Sequence, residues 1–485
     1  MEIGQIIRLA AAPLLLAGMS LGAWRTAERS DFEDVSGARV TYESKVDSAL
    51  LSARRVPQTL QAPVSDDLLA ESLEDTIVAY EGRSCLTVLA GDRQLEPSVD
   101  PDGGLVPASN QKLLTTFAAV DQLGPDFVFT TNVRATSAPV AGIIDGDVYL
   151  VGDGDPFLST DDWMAQFDPT EGRTRTRLED LADAIVQLGV TGITGSVIGD
   201  ESLYDTERYV ASWAPRLIDQ KQSGPMSALT VNEGYIDWPD RFADSARFRT
   251  ESADPALDAA DVFSALLEER GVLIESGRST GTSPAGTVAL ASIESPPLPE
   301  LVTHINSYSS NIGAELLLKR LGLVGSGVGS TAAGVEVVRQ SLTDLGLPMT
   351  DVVIEDGSGL SESNRVTCDL LADLLLEGQD DPAFSDSLAI SGTRGSLIGK
   401  FDTADLAGEV EAKTGTLRGV RALSGYAGSD DEEVPVTFSY VINDPEIAVG
   451  DPQLPVQEAL LEALVAYPEG PQLEELVPLP ASPAE

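Results

Sequence analysis

The stretch Pro107–Thr116 reads PASNQKLLTT, and Ser109-Asn110-Gln111-Lys112 within it is an S-x-x-K placed where a helix begins. Residues three apart share one helix face, so the Lys112 amine can reach the Ser109 hydroxyl. A serine is a poor nucleophile until a base takes its proton. Lysine can be that base if burial or a second cation lowers its pKa. A serine at a helix N-terminus also has a free backbone N–H beside it, suited to an oxyanion. The helix continues through Leu113, Leu114, Phe117, Ala118 and Val120 as its buried side and ends at Gly124-Pro125.

Two further motifs follow in the chain. Ser309-Ser310-Asn311 is an S-x-N at the start of an apolar helix over Asn311–Leu321. A second hydroxyl there can relay a proton to a leaving amine, and the Asn amide can hold a substrate amide. Lys413-Thr414-Gly415-Thr416 lies on the first of three expected strands, Gly408–Thr416, Ala422–Ala427 and Val434–Ile442, whose short turns make an antiparallel meander. A cation and two hydroxyls suit a carboxylate, and Gly415 lets a substrate backbone lie against the strand edge. Of six lysines only Lys112 has a serine three residues before it and only Lys413 begins K-T-G. Of seven asparagines only Asn311 has a serine two before it. Each short motif alone is weak, but all three in this order arise by chance about once in a hundred or less.

Composition removes other chemistries. A net charge of -47 over 485 residues opposes phosphate contacts with nucleic acid and adhesion to anionic lipid through a basic face. The single histidine, His304, rules out multi-histidine zinc sites, and nothing near it resembles a nucleophile elbow. Two cysteines are too few for a four-cysteine metal site, and no nucleotide-binding glycine motif follows an expected strand. No cofactor or metal is expected. At the N-terminus, Arg8 precedes an uncharged run from Leu9 to Trp24, interrupted by Pro13. At about 16 residues it is short for the roughly 20 that span a bilayer. Residues 1–30 therefore read as a secretory signal, with an uncleaved anchor as the alternative. Export makes a Cys85–Cys368 disulfide permissible, while two buried thiols remain the other possibility.

Around the motifs, Asp66–Val78 has helical spacing and Cys85–Ala90 reads as a strand with a return strand after Gly91-Asp92. Between about 130 and 300 the texture changes to short strand-like pieces and Gly/Asp/Pro turns such as GDGDP (152–156), with one expected helix at Thr176–Leu188. Helices are expected again at Val366–Leu376 and Pro455–Tyr467. The division is thus 50–130 and 300–467 for one domain, 131–299 for an inserted part, and 468–485 for a Pro/Glu-rich disordered tail.

The segments PASNQKLLTT (107–116), LVGDGDPFLS (150–159), SALTVNEG (227–234), NSYSSNIGAELLLK (306–319), DGSGLSESNRVT (356–367) and AKTGTLRGVRALSGYAG (412–428) resemble the D-alanyl-D-alanine carboxypeptidase/endopeptidase family, the low-molecular-mass class C penicillin-binding proteins. The resemblance runs from about residue 50 to 467. It implies an α/β fold: a transpeptidase/β-lactamase-like domain, its antiparallel sheet flanked by helices, with a large mostly-β insertion between S-x-x-K and S-x-N. It further implies an extracytoplasmic serine peptidase acting on peptidoglycan stem peptides and acylated by β-lactams. Ser109 would be the nucleophile, Lys112 the base, Ser309 the proton relay and Asn311 the holder of the acyl-side amide. Lys413, Thr414 and Thr416 would hold the terminal carboxylate along the Gly415 edge, and the backbone N–H groups of Ser109 and Thr416 would form the oxyanion hole. Asp205, in YDTERY, resembles an inserted-domain acid that meets the cationic end of a stem peptide; a solvated loop acid is the plainer reading. Arg365 serves either the substrate or a neighbouring carboxylate, Gly357 and Gly359 read as turn glycines, and His304 as structural. A β-lactamase and a catalytically silent wall-binding protein are the alternatives; the first lacks an ExxLN-type loop here and the second fits poorly with an intact Ser109/Lys112 pair.

Overall fold

The computed structural model describes residues 57–78, 83–99, 103–239, 248–428, 435–448 and 455–468. The expected N-terminal signal or anchor lies outside these residues, as does the tail beyond residue 468. Helix α1 (Pro57–Val78) precedes a hairpin of β1 (Ser84–Ala90) and β2 (Arg93–Val99), and α2 (Gln111–Leu123) follows. The next segment contributes β3 (Thr130–Ala135), β4 (Val148–Val151), α3 (Leu178–Gln187), β5 (Val197–Asp200), α4 (Pro255–Glu269), β6 (Arg278–Thr280) and β7 (Val288–Glu294). After it come α5 (Leu298–Tyr308), α6 (Asn311–Ser326), α7 (Thr331–Asp344) and α8 (Cys368–Gly378). The short β8 (Ala389–Ile390), the long strands β9 (Val410–Leu417), β10 (Val420–Ala427) and β11 (Val436–Asn443), and α9 (Pro455–Ala466) complete the described chain.

The larger sheet has six antiparallel strands in the order β8-β9-β10-β11-β1-β2. Side chains alternate across it, as the two-residue period of a strand requires. Cys85, Ala422, Tyr426 and Val441 face a core shared with α2, α5, α6 and α8. Leu86, Val88, Leu423, Phe438 and Tyr440 face a second core that includes Leu73 of α1 and Leu460, Leu461 and Leu464 of α9. Covering both faces explains why every residue of β10 is buried. The three strands expected from the meander are present, shifted by one or two residues at their ends.

The 130–300 segment builds a second sheet in the order β6-β5-β4-β3-β7. Strands β4, β5 and β6 run parallel, and β3 and β7 antiparallel. Parallel neighbours need a crossover; α3 supplies it between β4 and β5, and α4 between β5 and β6. Sequence reasoning found α3 but not α4, although Asp254 caps it by accepting from the Leu257 N–H and Pro255 opens it. Helix α8 begins two residues later than expected because Thr367 is its cap. Among the described residues no helix is long and apolar enough to cross a membrane.

Cys85 on β1 and Cys368 at the start of α8 lie at disulfide-bonding distance, with Cα atoms 5.8 Å apart, and both are fully buried. Their link spans 283 positions of sequence and tethers a helix to the sheet it covers. Cys368→Ser is expected to lower the unfolding free energy by about 2–5 kcal/mol, read as a lower urea midpoint in non-reducing buffer; dithiothreitol should bring the native protein towards the same midpoint.

Candidate active site

Ser109 sits in a single 3-10 turn, Ala108–Asn110, that runs directly into α2. The turn is held by close backbone approach. A Cβ at Gly359 would lie 1.8 Å from the Ala108 carbonyl oxygen, and Gly359 has φ +84°; one at Gly415 would lie 2.7 Å from the Pro107 carbonyl. Ala108 itself takes φ +48°, a conformation that costs an L-residue energy and persists only where its surroundings impose it.

Lys112 is wholly buried on α2. Its Nζ lies 3.0 Å from Ser109 Oγ, 2.7 Å from Asn311 Oδ1 and 2.6 Å from the Ser358 carbonyl oxygen. The last two groups can only accept, so a neutral amine spends both N–H bonds on them and turns its lone pair to the Ser109 hydroxyl. Burial lowers the Lys112 pKa to about 7, against the opposing pull of Asp356 and Glu315. The first and second motifs therefore meet at one nitrogen.

The third motif lies beside them on β9. Lys413 is buried and donates to the Thr414 carbonyl at 2.9 Å. Burial, then Lys112 and Lys400, hold its pKa well below the ordinary lysine value. Ser424, directly across from Lys413 on β10, accepts from Asn110 Nδ2 at 2.6 Å, which ties the 3-10 turn to this strand pair. The Thr414 hydroxyl contacts that of Ser396 at 2.9 Å, and Thr416 is exposed on the strand edge. Ser309 closes α5 with φ +61°, and Ser310 caps α6 by accepting from the Gly313 N–H. Ser310 thus has a capping task that serine and aspartate share.

Two of the expected residues already have partners within the protein. Asn311 has both amide atoms engaged, Oδ1 with Lys112 and Nδ2 with the Gln222 carbonyl at 2.6 Å, so a substrate amide has to displace Gln222. Asp205 is not drawn into this group: its carboxylate pairs with Lys319, a fully buried lysine two turns along α6 from Asn311. That pairing gives the Asp205 carboxylate a partner within the protein.

Sequence reasoning overlooked the layer beneath Lys112. Glu315 on α6 is fully buried and accepts from the N–H groups of Gly357 and Ser358. Burial, reinforced by Asp356, pushes its pKa up to about 8. Asp356 accepts from the N–H groups of Gly359 and Ser361, from Asn364 Nδ2 and from Trp213 Nε1. These two carboxylates fix the 356–361 turn that offers its Ser358 carbonyl to Lys112. A charged residue at Glu315, inside an otherwise apolar helix start, was the available signal. Among the described residues, no group of three or more His, Cys, Asp or Glu side chains is disposed to hold a metal ion.

A family model described as the D-Ala-D-Ala carboxypeptidase 3 (S13) family matches residues 98–239 and 239–461. The chain belongs to this family. It is similar to a D-alanyl-D-alanine carboxypeptidase of Actinomadura sp. (strain R39), with 31% identity covering 88% of this chain and 92% of that protein. The structure resembles penicillin binding protein 4 of Haemophilus influenzae at a TM-score of 0.67 and 20% identity, covering 82% of this chain and 98% of that one. It also resembles that protein's complex with a β-lactam, at a TM-score of 0.62 and 19% identity, with the same coverage. Membership makes the chain a serine peptidase of the cell wall, and the penicillin-binding/β-lactamase fold is the one expected from the motifs.

His304 lines a cavity with Ser309, Ser310 and Asn311. Its Nδ1 accepts from the Thr174 N–H at 3.1 Å and its ring packs on Phe157 and Tyr308. Burial, with Arg173 beside it, lowers its pKa to about 3. The one imidazole of this chain should therefore show no titration by NMR between pH 8 and 5. Because the unfolded value is near 6.5, the stability His304 contributes is present above that pH and is lost as pH falls towards 3, at about 1.4 kcal/mol per unit. His304→Gln should remove that part of the pH slope in urea unfolding.

Proposed function

We propose that the chain is an exported peptidase that cleaves D-Ala-D-Ala peptides, peptidoglycan cross-links or both through an acyl-enzyme on Ser109, and that β-lactams acylate the same atom. The observation that carries this reading is the Lys112 amine in contact with Ser109 and Asn311 together. Export is supported by the uncharged Leu9–Trp24 run and by the paired cysteines.

In this mechanism the neutral Lys112 amine takes the Ser109 proton as Oγ attacks the peptide carbonyl. The N–H groups of Ser109 and Thr416 receive the oxyanion. Ser309 gives its hydroxyl proton to the departing amine and regains one from the Lys112 ammonium as the C–N bond breaks, and water later hydrolyses the ester. Lys413, Thr414 and Thr416 hold the leaving residue's carboxylate. Asn311 holds Lys112 and, once Gln222 is displaced, the acyl-side amide.

Fluorescent penicillin should label the native protein covalently, with mass spectrometry placing the adduct on Ser109 and showing whether residues 1–30 are retained. No label, or full label on Ser109→Ala, would overturn the reading, and rapid turnover of the adduct would favour a β-lactamase. Since the amine acts when unprotonated, the acylation rate should rise with pH and reach half its plateau near pH 7. Lys112→Gln should slow acylation by about 10²–10⁴-fold, measured by stopped-flow with a chromogenic cephalosporin.

A further inference from the structure

The peptide group that joins Ser358 to Gly359 lies between two ionisable side chains. Its carbonyl oxygen is 2.6 Å from Lys112 Nζ, and its N–H donates to Asp356 Oδ1 at 2.9 Å. Asp356 and Lys112 thus hold opposite ends of one peptide dipole. Both side chains are fully buried, as are Ser358 and Gly359 between them.

Asp356 has four partners. Oδ1 accepts from the Gly359 N–H and from Asn364 Nδ2, and Oδ2 from the Ser361 N–H at 2.7 Å and Trp213 Nε1 at 2.8 Å. All four groups can only donate, so together they complete the shell of an ionised, acceptor-only carboxylate. Two further titratable groups face the pair, Glu315 of α6 beside Asp356 and Lys413 of β9 beside Lys112. Glu315 accepts from the N–H groups of Gly357 and Ser358. Neither N–H belongs to the peptide that touches Lys112, and of the two carboxylates Asp356 pulls on Lys112 more strongly.

Hydrogen bonds in series polarise one another in a low-dielectric interior. A negative charge at the N–H end of a peptide makes the carbonyl at its other end a stronger acceptor. It also favours the protonated form of an amine bonded there. Full burial alone can push a lysine pKa down by about 3–5, and so weak a base takes a hydroxyl proton poorly. We infer that Asp356 is a positioning residue for Lys112, acting through the 358–359 peptide to keep the buried amine a strong enough base for serine activation. Trp213 makes the 130–300 segment part of this control, because its indole N–H takes up some of the charge on Asp356. The inference rests on the reading of Lys112 as the base for Ser109.

The test follows acylation by a chromogenic cephalosporin across pH, with carbon-13 NMR of labelled lysines on the same proteins; with six lysines in the chain, Lys112 can be assigned by substitution. Asp356→Asn removes the charge and keeps an acceptor for the Gly359 N–H. It should lower both the pH of half-maximal acylation and the Lys112 titration point by about one unit or more, and lower the plateau rate. Glu315→Gln removes a carboxylate from the same turn without touching the 358–359 peptide and should shift the midpoint less. Trp213→Phe keeps the carboxylate but removes a donor that screens it, so the midpoint should rise; this variant decides the matter alone if Asp356→Asn does not fold. A native midpoint in folded Asp356→Asn, an equal shift in Glu315→Gln, or no rise in Trp213→Phe would overturn the inference while Ser109 still takes penicillin. Native protein that takes no penicillin label would instead overturn the Ser109 reading, and the inference with it.

Discussion

A primary amine excluded from water must find every hydrogen-bond partner within the protein, and Lys112 does so with three. One lies in the 3-10 turn that leads into its own helix, one on α6 and one on the 356–361 turn. Burying an ammonium is expensive, while burying a neutral amine with two acceptors and one donor is much less so. The same desolvation that draws its pKa towards neutrality therefore selects the protonation state that serine activation needs. Losing any one acceptor would leave an unsatisfied N–H next to the nucleophile, so the positions of Asn311 and Ser358 are as constrained as that of Ser109.

Those partners are positioned by parts far apart in the chain. Glu315 and Asp356 hold the peptide groups of the 356–361 turn, and Trp213 brings the 130–300 segment onto Asp356. Gln222 from the same segment meets Asn311. The segment inserted between the first two motifs is thus hydrogen-bonded to the machinery at two points, and its role extends beyond spacing the motifs.

The legible part of this site was the part written in short-range spacing. Ser109 and Lys112 share a helix face by geometry alone, and the meander whose first strand carries Lys413 is marked by strand-like segments joined by short turns. Less legible was whatever depends on burial. Glu315 and Lys319 are fully buried ionisable residues four apart on a largely apolar helix, and only the packed structure shows that one serves the Lys112 turn and the other claims Asp205. Helix α7 was missed because its buried face mixes Thr331, Gly334 and Ser341 with only Val338 and Leu342, which gives no apolar stripe. The division of the chain near 130 and 300 rests on texture alone, which carries no information on the contacts the intervening segment makes.

The larger sheet places β1, near residue 84, between β2 and β11, near residue 443. Cys85 lies opposite Val441 in that pairing. Until the last long strand has emerged, β1 has an open edge and its apolar faces lack a neighbour. Completion of this core therefore waits on nearly the whole polypeptide, a loop closure of some 350 residues, and folding of the catalytic half is necessarily a late event in the life of a chain made from its N-terminus. During that interval the chain has to be kept from pairing with other strand edges, which makes the order of synthesis, as much as the final packing, a determinant of how much working protein is obtained.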